Sequence, residues 1–172
     1  MWNWLRTPAR LVPLAFLLAI LLGTLLLWLP IARAGEGQAP LLTALFVATS
    51  AVGVTGLSTV DTATYWSGFG QFVIYSLFHV GGFGIMSIAT LLGMVVSNKM
   101  KLGRQLMAQA EVRGIALADV GSVLRFVLGL AVVVEASATV VLTWRMMAIG
   151  EPFEQALWHA AFHAGAAFTN AG

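Results

Sequence analysis

The stretch TSAVGVTGLSTVD, Thr49 to Asp61, decides how this chain is read. It sets glycines and hydroxyl side chains inside a 172-residue chain that is 59% hydrophobic and 9% charged. Soluble domains carry about 25% charged residues, so this composition cannot cover a water-exposed surface. The class it implies is integral membrane, and apolar runs of span length make it all-α. Glycine, serine and threonine are poor helix formers, so a cluster of them at membrane depth needs a physical reason.

The segments around the stretch supply one. Arg6 and Arg10 precede an apolar run from Leu11 to Ile31, and Ala32-Arg33-Ala34 has the look of a signal-peptidase site. A secretory signal has an apolar core of about 7–15 residues. This run has the length of a bilayer span, so a retained helix is expected. Then come a moderately apolar segment (Pro40–Leu57), a long apolar helix (Trp66–Val96), a polar, basic stretch (Ser97–Arg125), a second apolar helix (Val120–Ile149) and a short piece from Glu151 to Gly172. Trp2, Trp4, Trp28, Trp66 and Trp144 lie near expected span ends, where indole rings anchor at the interface. Lys99, Lys101, Arg104, Arg113 and Arg125 cluster in the basic stretch, and positive segments stay cytoplasmic. If Pro40–Leu57 crossed the membrane, these residues and the N-terminus would lie on opposite sides. If it dips in and returns, both basic regions are cytoplasmic.

The opening stretch therefore reads as a re-entrant hairpin: a short helix from Leu41 to Ala51, then extended chain from Val52 to Leu57. Non-helical backbone at membrane depth is tolerated where protein covers it or a wet cavity meets it. Gly53 and Gly56 permit unusual backbone angles. Carbonyls aimed at one axis can replace the hydration shell of a cation, and the helix before them points its negative end the same way. The alternative is a tightly packed span, since small residues let helices approach closely.

A second copy supports the hairpin. Shifted by 116 residues, ALFVATSAVGVTG (44–56) falls on AAFHAGAAFTNAG (160–172), with Ala44, Phe46, Ala48, Ala51 and Gly56 matching Ala160, Phe162, Ala164, Ala167 and Gly172. Each segment follows a long apolar helix and a short polar loop. The expected organisation is a first helix–pore loop–helix unit over 1–96, a cytoplasmic basic linker over 97–119, and a second unit over 120–172 that stops after its loop.

TSAVGVTGLSTVD, the GGFGIMSIATL of the following helix (Gly81–Leu91) and FHAGAAFTNAG (162–172) together resemble the Trk/Ktr/HKT superfamily of potassium transporters. That resemblance implies four non-identical helix–pore helix and filter–helix repeats around one cation pathway, of which this chain would hold the first and most of the second. It also implies a homodimer in the bacterial inner membrane, with a cytoplasmic N-terminus and a cytoplasmic nucleotide-binding regulatory subunit. The transported ion would be K⁺, with no further cofactor. The family's filter glycine falls on Gly56 and Gly172. Its filter carbonyls fall on Val52, Gly53, Val54 and Thr55 and on Phe168, Thr169, Asn170 and Ala171, with K⁺ held chiefly at Val54, Thr55, Asn170 and Ala171. Thr169, where many relatives carry asparagine, and His79, where glutamine is common, depart from the pattern.

Several residues carry two readings. Glu135 interrupts the apolar LAVVVEASATVV (130–141), where an ionisable group costs about 2.5–3.5 kcal/mol on insertion scales. It is read as a helix-to-helix anchor, or as a cation-attracting charge. Asp61 is either a pore-mouth carboxylate that concentrates cations or a helix cap. Glu151 and Glu154 suit the N-terminus of the second pore helix. His159 and His163 share a helix face at a zinc-compatible spacing, but the third partner is missing. Gly81, Gly82 and Gly84 suit close helix packing beside the filter. The chain has no cysteine, no phosphate-binding glycine loop and no nucleophile–base pair, so no enzyme is expected. The basic residues match topology alone, so no nucleic-acid partner is expected and lipid surrounds the chain. The alternatives to a pore are a membrane-embedded metal enzyme at His159 and His163, and a non-conducting scaffold subunit.

Overall fold

The computed structural model describes residues 8–105 and 118–171, with side chains over 13–86 and 125–171. Among these residues six α-helices follow in order: α1 (Pro8–Trp28), α2 (Leu41–Val52), α3 (Thr62–Tyr65), α4 (Gly68–Gln105), α5 (Ala118–Ala148) and α6 (Phe153–Thr169). No strand occurs among the described residues; one isolated antiparallel bridge joins Arg33 and Trp66. Two helical stretches among these residues, Gly68–Met86 and Arg125–Ala148, are long and apolar enough to cross a membrane. The 12-residue α2 is not. At 1.5 Å per residue it reaches about 18 Å, short of the ~30 Å hydrocarbon core.

α1, α2 and α4 pack together, and α6 lies against both α4 and α5. The core between them holds Leu27 from α1, Val47, Ala51 and Val52 from α2, and Val73, Ile74, Leu77 and Phe78 from α4. α5 leaves most of its apolar side chains outside, Val132 and Trp144 being 65% and 73% exposed. The helix expected to end at Val96 runs on to Gln105, so the boundary set there falls inside α4. Lys99, Lys101 and Arg104 thus belong to α4. The remainder of the basic stretch, including Arg113, reaches outside the described residues, as do Trp2 and Trp4.

A polar corner ties the end of α1 to the start of α4. A single 3-10 turn, Pro30–Ala32, turns the chain after α1. The amide of Ser67 donates to the Ala32 carbonyl at 2.9 Å and the amide of Ala34 to the Tyr65 carbonyl at 3.0 Å. The Ser67 hydroxyl donates to the Ile31 carbonyl at 2.6 Å and accepts from the Gly70 amide at 3.2 Å, capping α4. Gly70 has no Cβ to collide with the Ala32 carbonyl. Trp66, expected as an interface anchor, is instead 1% exposed in this corner. The bridge to Arg33 and the close approach of Gly70 enclose it there. Ala32 is buried here as well, so the apparent cleavage site is part of the packed structure.

Replacing Ser67 with alanine removes the cap and leaves the Ile31 carbonyl without that donor. Loss of an N-cap hydroxyl costs about 1 kcal/mol, so Ser67→Ala is expected to lower the melting temperature of the detergent-purified protein without changing its helix content. An unchanged melting curve would show that the corner contributes nothing.

Candidate functional site

Two helix ends make the site. α2 stops at Val52 because the chain turns left-handed at Val54, with φ +54°. The Val54 amide donates back to the Ala51 carbonyl at 3.1 Å, and the Thr55 amide to the Ser50 carbonyl at 3.0 Å. This is a Schellman cap, in which a left-handed residue closes the last turn. At the end of α6, 116 residues on, Asn170 is left-handed with φ +61°. Its amide donates to the Ala167 carbonyl at 3.2 Å, and the Ala171 amide to the Ala166 carbonyl at 2.8 Å. Every donor and acceptor in the second cap is the counterpart of one in the first. Val54 and Asn170 are the only described non-glycine residues with positive φ. Asparagine tolerates that geometry; a β-branched valine is an outlier there.

The caps fix which carbonyls remain free. Among the described residues, no hydrogen bond reaches the carbonyls of Val52 to Leu57, nor those of Phe168 to Ala171. The extended chain expected from Val52 begins later. Val52 closes α2, Gly53 is still helical with φ −75°, and Phe168 and Thr169 are the last residues of α6. Gly56 has φ +70° and is exposed. Gly172 lies outside the described residues. The first loop carries a lock that its counterpart lacks: the Thr55 hydroxyl lies 3.0 Å from the Ser50 hydroxyl and 3.3 Å from the Ser50 carbonyl. Alanines occupy both places in the second cap, at 166 and 171.

Adjacent glycines on α4 seat both ends. A Cβ on Gly81 would collide with the Val52 carbonyl, and one on Gly82 would lie 2.8 Å from the Thr169 methyl. Gly53, Val54, Thr169 and Asn170 border one cavity of about 260 Å³ with Gly82, Ile85 and Met86. The negative ends of two helix dipoles therefore lie beside the same space. This tight seating is the packing role expected for Gly81 and Gly82.

The flanking polar residues sort by their contacts. Glu135 Oε2 lies 2.9 Å from His79 Nε2, joining α5 to α4, which is a helix-to-helix anchor. Asp61 caps α3, accepting from the Ala63 amide at 3.0 Å. It also borders a cavity of about 290 Å³ with Gln71, Trp158, His159 and His163. His159 Nδ1 is 3.1 Å from Glu151 Oε2, and Glu154 sits in the first turn of α6. No group of three or more His, Asp or Glu among the described residues is arranged to hold a metal. Sequence reasoning missed the Ser50–Thr55 lock, the partner of His79, and the Trp158 Nε1 hydrogen bond to Gln71 Oε1 at 2.8 Å. Only the first left a trace in the sequence, as two hydroxyl residues five apart at a helix end.

The glycine pair sets a graded expectation. At Gly81 an added methyl meets main chain, which cannot rotate away; at Gly82 it meets a side-chain methyl. Gly81→Ala should therefore lower the melting temperature and ion uptake of the complete protein more than Gly82→Ala. The reverse order would contradict the seating described.

The TrkH family profile, described as a cation transport protein, matches residues 6–172. The chain is 34% identical, over 99% of its length, to the Ktr system potassium uptake protein B of Bacillus subtilis, covering 38% of that protein. It is 34% identical to the potassium/sodium uptake protein NtpJ of Enterococcus hirae, over 96% of this chain and 37% of that one. It is 30% identical to the Ktr system potassium uptake protein B of Vibrio alginolyticus, over 95% and 35%. The chain thus spans little more than a third of the length of these relatives. They are transporters, so the metal-enzyme reading of His159 and His163 is set aside. With two left-handed helix ends seated on one glycine pair, and a profile match over almost every residue, the chain belongs to the TrkH family of cation transport proteins.

Proposed function

We propose that the chain is part of the pore-forming subunit of a potassium uptake system in the bacterial plasma membrane, with a filter of backbone carbonyls. The observation that carries this reading is the pair of equivalent left-handed caps, which leave carbonyls unbonded at both ends of one cavity wall. A potassium ion needs several oxygens to replace its water, and carbonyl rings supply them. Two such loops form half of a fourfold ring, so two further repeats complete the pathway in the whole protein. Val52 to Gly56 and Phe168 to Gly172 then form the filter walls, with Val54, Thr55, Asn170 and Ala171 closest to the ion. Inward movement follows the membrane potential, which contributes about 2.3 kcal/mol per charge per 100 mV.

The relatives named for potassium and for potassium/sodium uptake support the ion class. The length of α2 supports a re-entrant course, which leaves the N-terminus and the basic residues from Lys99 onward on the cytoplasmic side. Asp61 stands near the outer mouth in this arrangement. The whole protein is read as a homodimer in lipid that docks a cytoplasmic nucleotide-binding regulator, as the family resemblance implies.

The decisive test is complementation of a potassium-uptake-deficient strain with the complete gene. Wild type should restore growth at low potassium. Gly56→Val, at a positive φ that valine resists, should abolish it, and a cysteine at Ser58 should react with an impermeant reagent applied from outside. Growth unaffected by Gly56→Val, or labelling of Ser58→Cys from the cytoplasm alone, sinks the proposal. Val54→Gly separates strain from function. A residue held in a sparsely populated region costs of order 1–3 kcal/mol, so this variant should melt higher while discriminating potassium from sodium less sharply.

A further inference from the structure

We propose that the cavity between α3, α4 and α6 binds a small alkylammonium cation, holding it between the Asp61 carboxylate and the rings of Trp158 and Phe162, and that an occupant slows ion uptake. The slowing rests on the transport reading above; the binding does not.

Charge and shape carry the inference. The cavity measures about 290 Å³ and is bordered by Asp61, Gln71, Trp158, Phe162 and two histidines. Small-molecule pockets run from about 300 to 1,000 Å³, so this space suits a cation of a few heavy atoms. Asp61 stands at the start of α3 and spends one oxygen, Oδ1, on the Ala63 amide. Among the described residues no cationic side chain pairs with it, and no lysine or arginine borders the cavity. A second carboxylate stands behind the wall, with Glu151 Oε2 3.1 Å from His159 Nδ1. The space therefore favours a positive occupant.

The walls decide which cation. A bare metal ion needs several oxygens to replace its water. The side-chain amide of Gln71 is already engaged. Its Oε1 accepts from Trp158 Nε1 at 2.8 Å, and its Nε2 donates to the carbonyls of Ala63 at 3.1 Å and Trp66 at 3.2 Å. These bonds also fix the indole at the cavity edge. Trp158 and Phe162 are tilted 57° to each other with centroids 6.4 Å apart, which gives the cavity a bent aromatic wall. An alkylammonium group suits it. Its charge is attracted to aromatic rings, its alkyl groups lose little by leaving water, and one carboxylate balances it. Thr62 and Phe162 also border a smaller cavity, of about 70 Å³, with Gly56, Leu57, Ser58 and Ala171. An occupant thus adjoins both capped loops, beside the outer mouth assigned above to Asp61.

The test uses the complete protein, with tetramethylammonium as the probe. Binding is read by titration calorimetry in detergent at about pH 8, above the range in which histidine ordinarily charges. Potassium uptake is read in cells of the uptake-deficient strain, with the probe added outside. Asp61→Asn removes the charge and keeps the cap, because an asparagine oxygen caps equally well. Trp158→Leu removes the ring, and Trp158→Phe restores a ring without the bond to Gln71. Wild type should bind the probe. Asp61→Asn and Trp158→Leu should each bind it about tenfold more weakly, equivalent to about 1.4 kcal/mol, with Trp158→Phe in between. Choline should bind as well, and its uncharged isostere, with a tert-butyl group in place of trimethylammonium, should not. Uptake should fall as external probe rises, and the two weakened variants should need more probe for the same fall. A wild type that gives no binding isotherm overturns the site. So do isotherms that neither substitution changes, and so does equal binding of the uncharged isostere. If Trp158→Leu does not fold, Asp61→Asn and Trp158→Phe decide. Undiminished uptake at saturating probe overturns the slowing, and the isotherms still decide the site. A wild type that moves no potassium without probe sinks the transport reading alone.

Discussion

Two helix ends press against two neighbouring glycines, and the rest of the fold follows from that constraint. Any side chain at position 81 would enter the space of the Val52 carbonyl. Without that approach, α2 could not deliver its last turn to the face of α4 where α6 also arrives. The cavity bordered by both caps would then have one wall in place of two. Around this junction, the Ser67 corner fixes where α4 begins, and the aromatic contacts of Tyr75 and Phe78 with Phe162 hold α6 alongside it. Such ring pairs contribute about 0.5–1.5 kcal/mol each beyond simple burial.

The caps solve a problem that every helix end poses. Its last four carbonyls lack helical partners. The Schellman turns satisfy those of Ser50 and Ala51, and of Ala166 and Ala167, with amides from the residues that follow. The oxygens beyond the cap stay free and adjacent. The cost is a left-handed valine, a geometry that surrounding contacts must hold in place. Such outliers gather where function demands a shape that local preference opposes.

Much of the architecture was legible before any coordinates. The glycine and hydroxyl break at Thr49 to Asp61 marked α2 and its end to within a residue, because a helix terminus is encoded locally. The basic cluster gave no sign that Lys99, Lys101 and Arg104 extend α4, since charge reports topology and says little about backbone conformation. Trp66 was misplaced because proximity to a span end does not reveal that the chain pairs it with Arg33 across the corner. His79 and Glu135 were each noticed as anomalies, yet their pairing spans 56 positions, and a single sequence holds no local signal of such a contact. Asp61 illustrates an ambiguity that pattern alone left open: its cap is visible in the structure, and it borders a cavity with Gln71 and His159 as well.

The hydroxyl pair at Ser50 and Thr55 has no equivalent at Ala166 and Ala171. The two loops therefore share a backbone path but differ in stiffness. Thermal agitation will unfasten the alanine-built turn first, and deuterium from solvent will replace its amide hydrogens sooner than those of its threonine-bearing twin. The cavity they border therefore has one firm side and one compliant side.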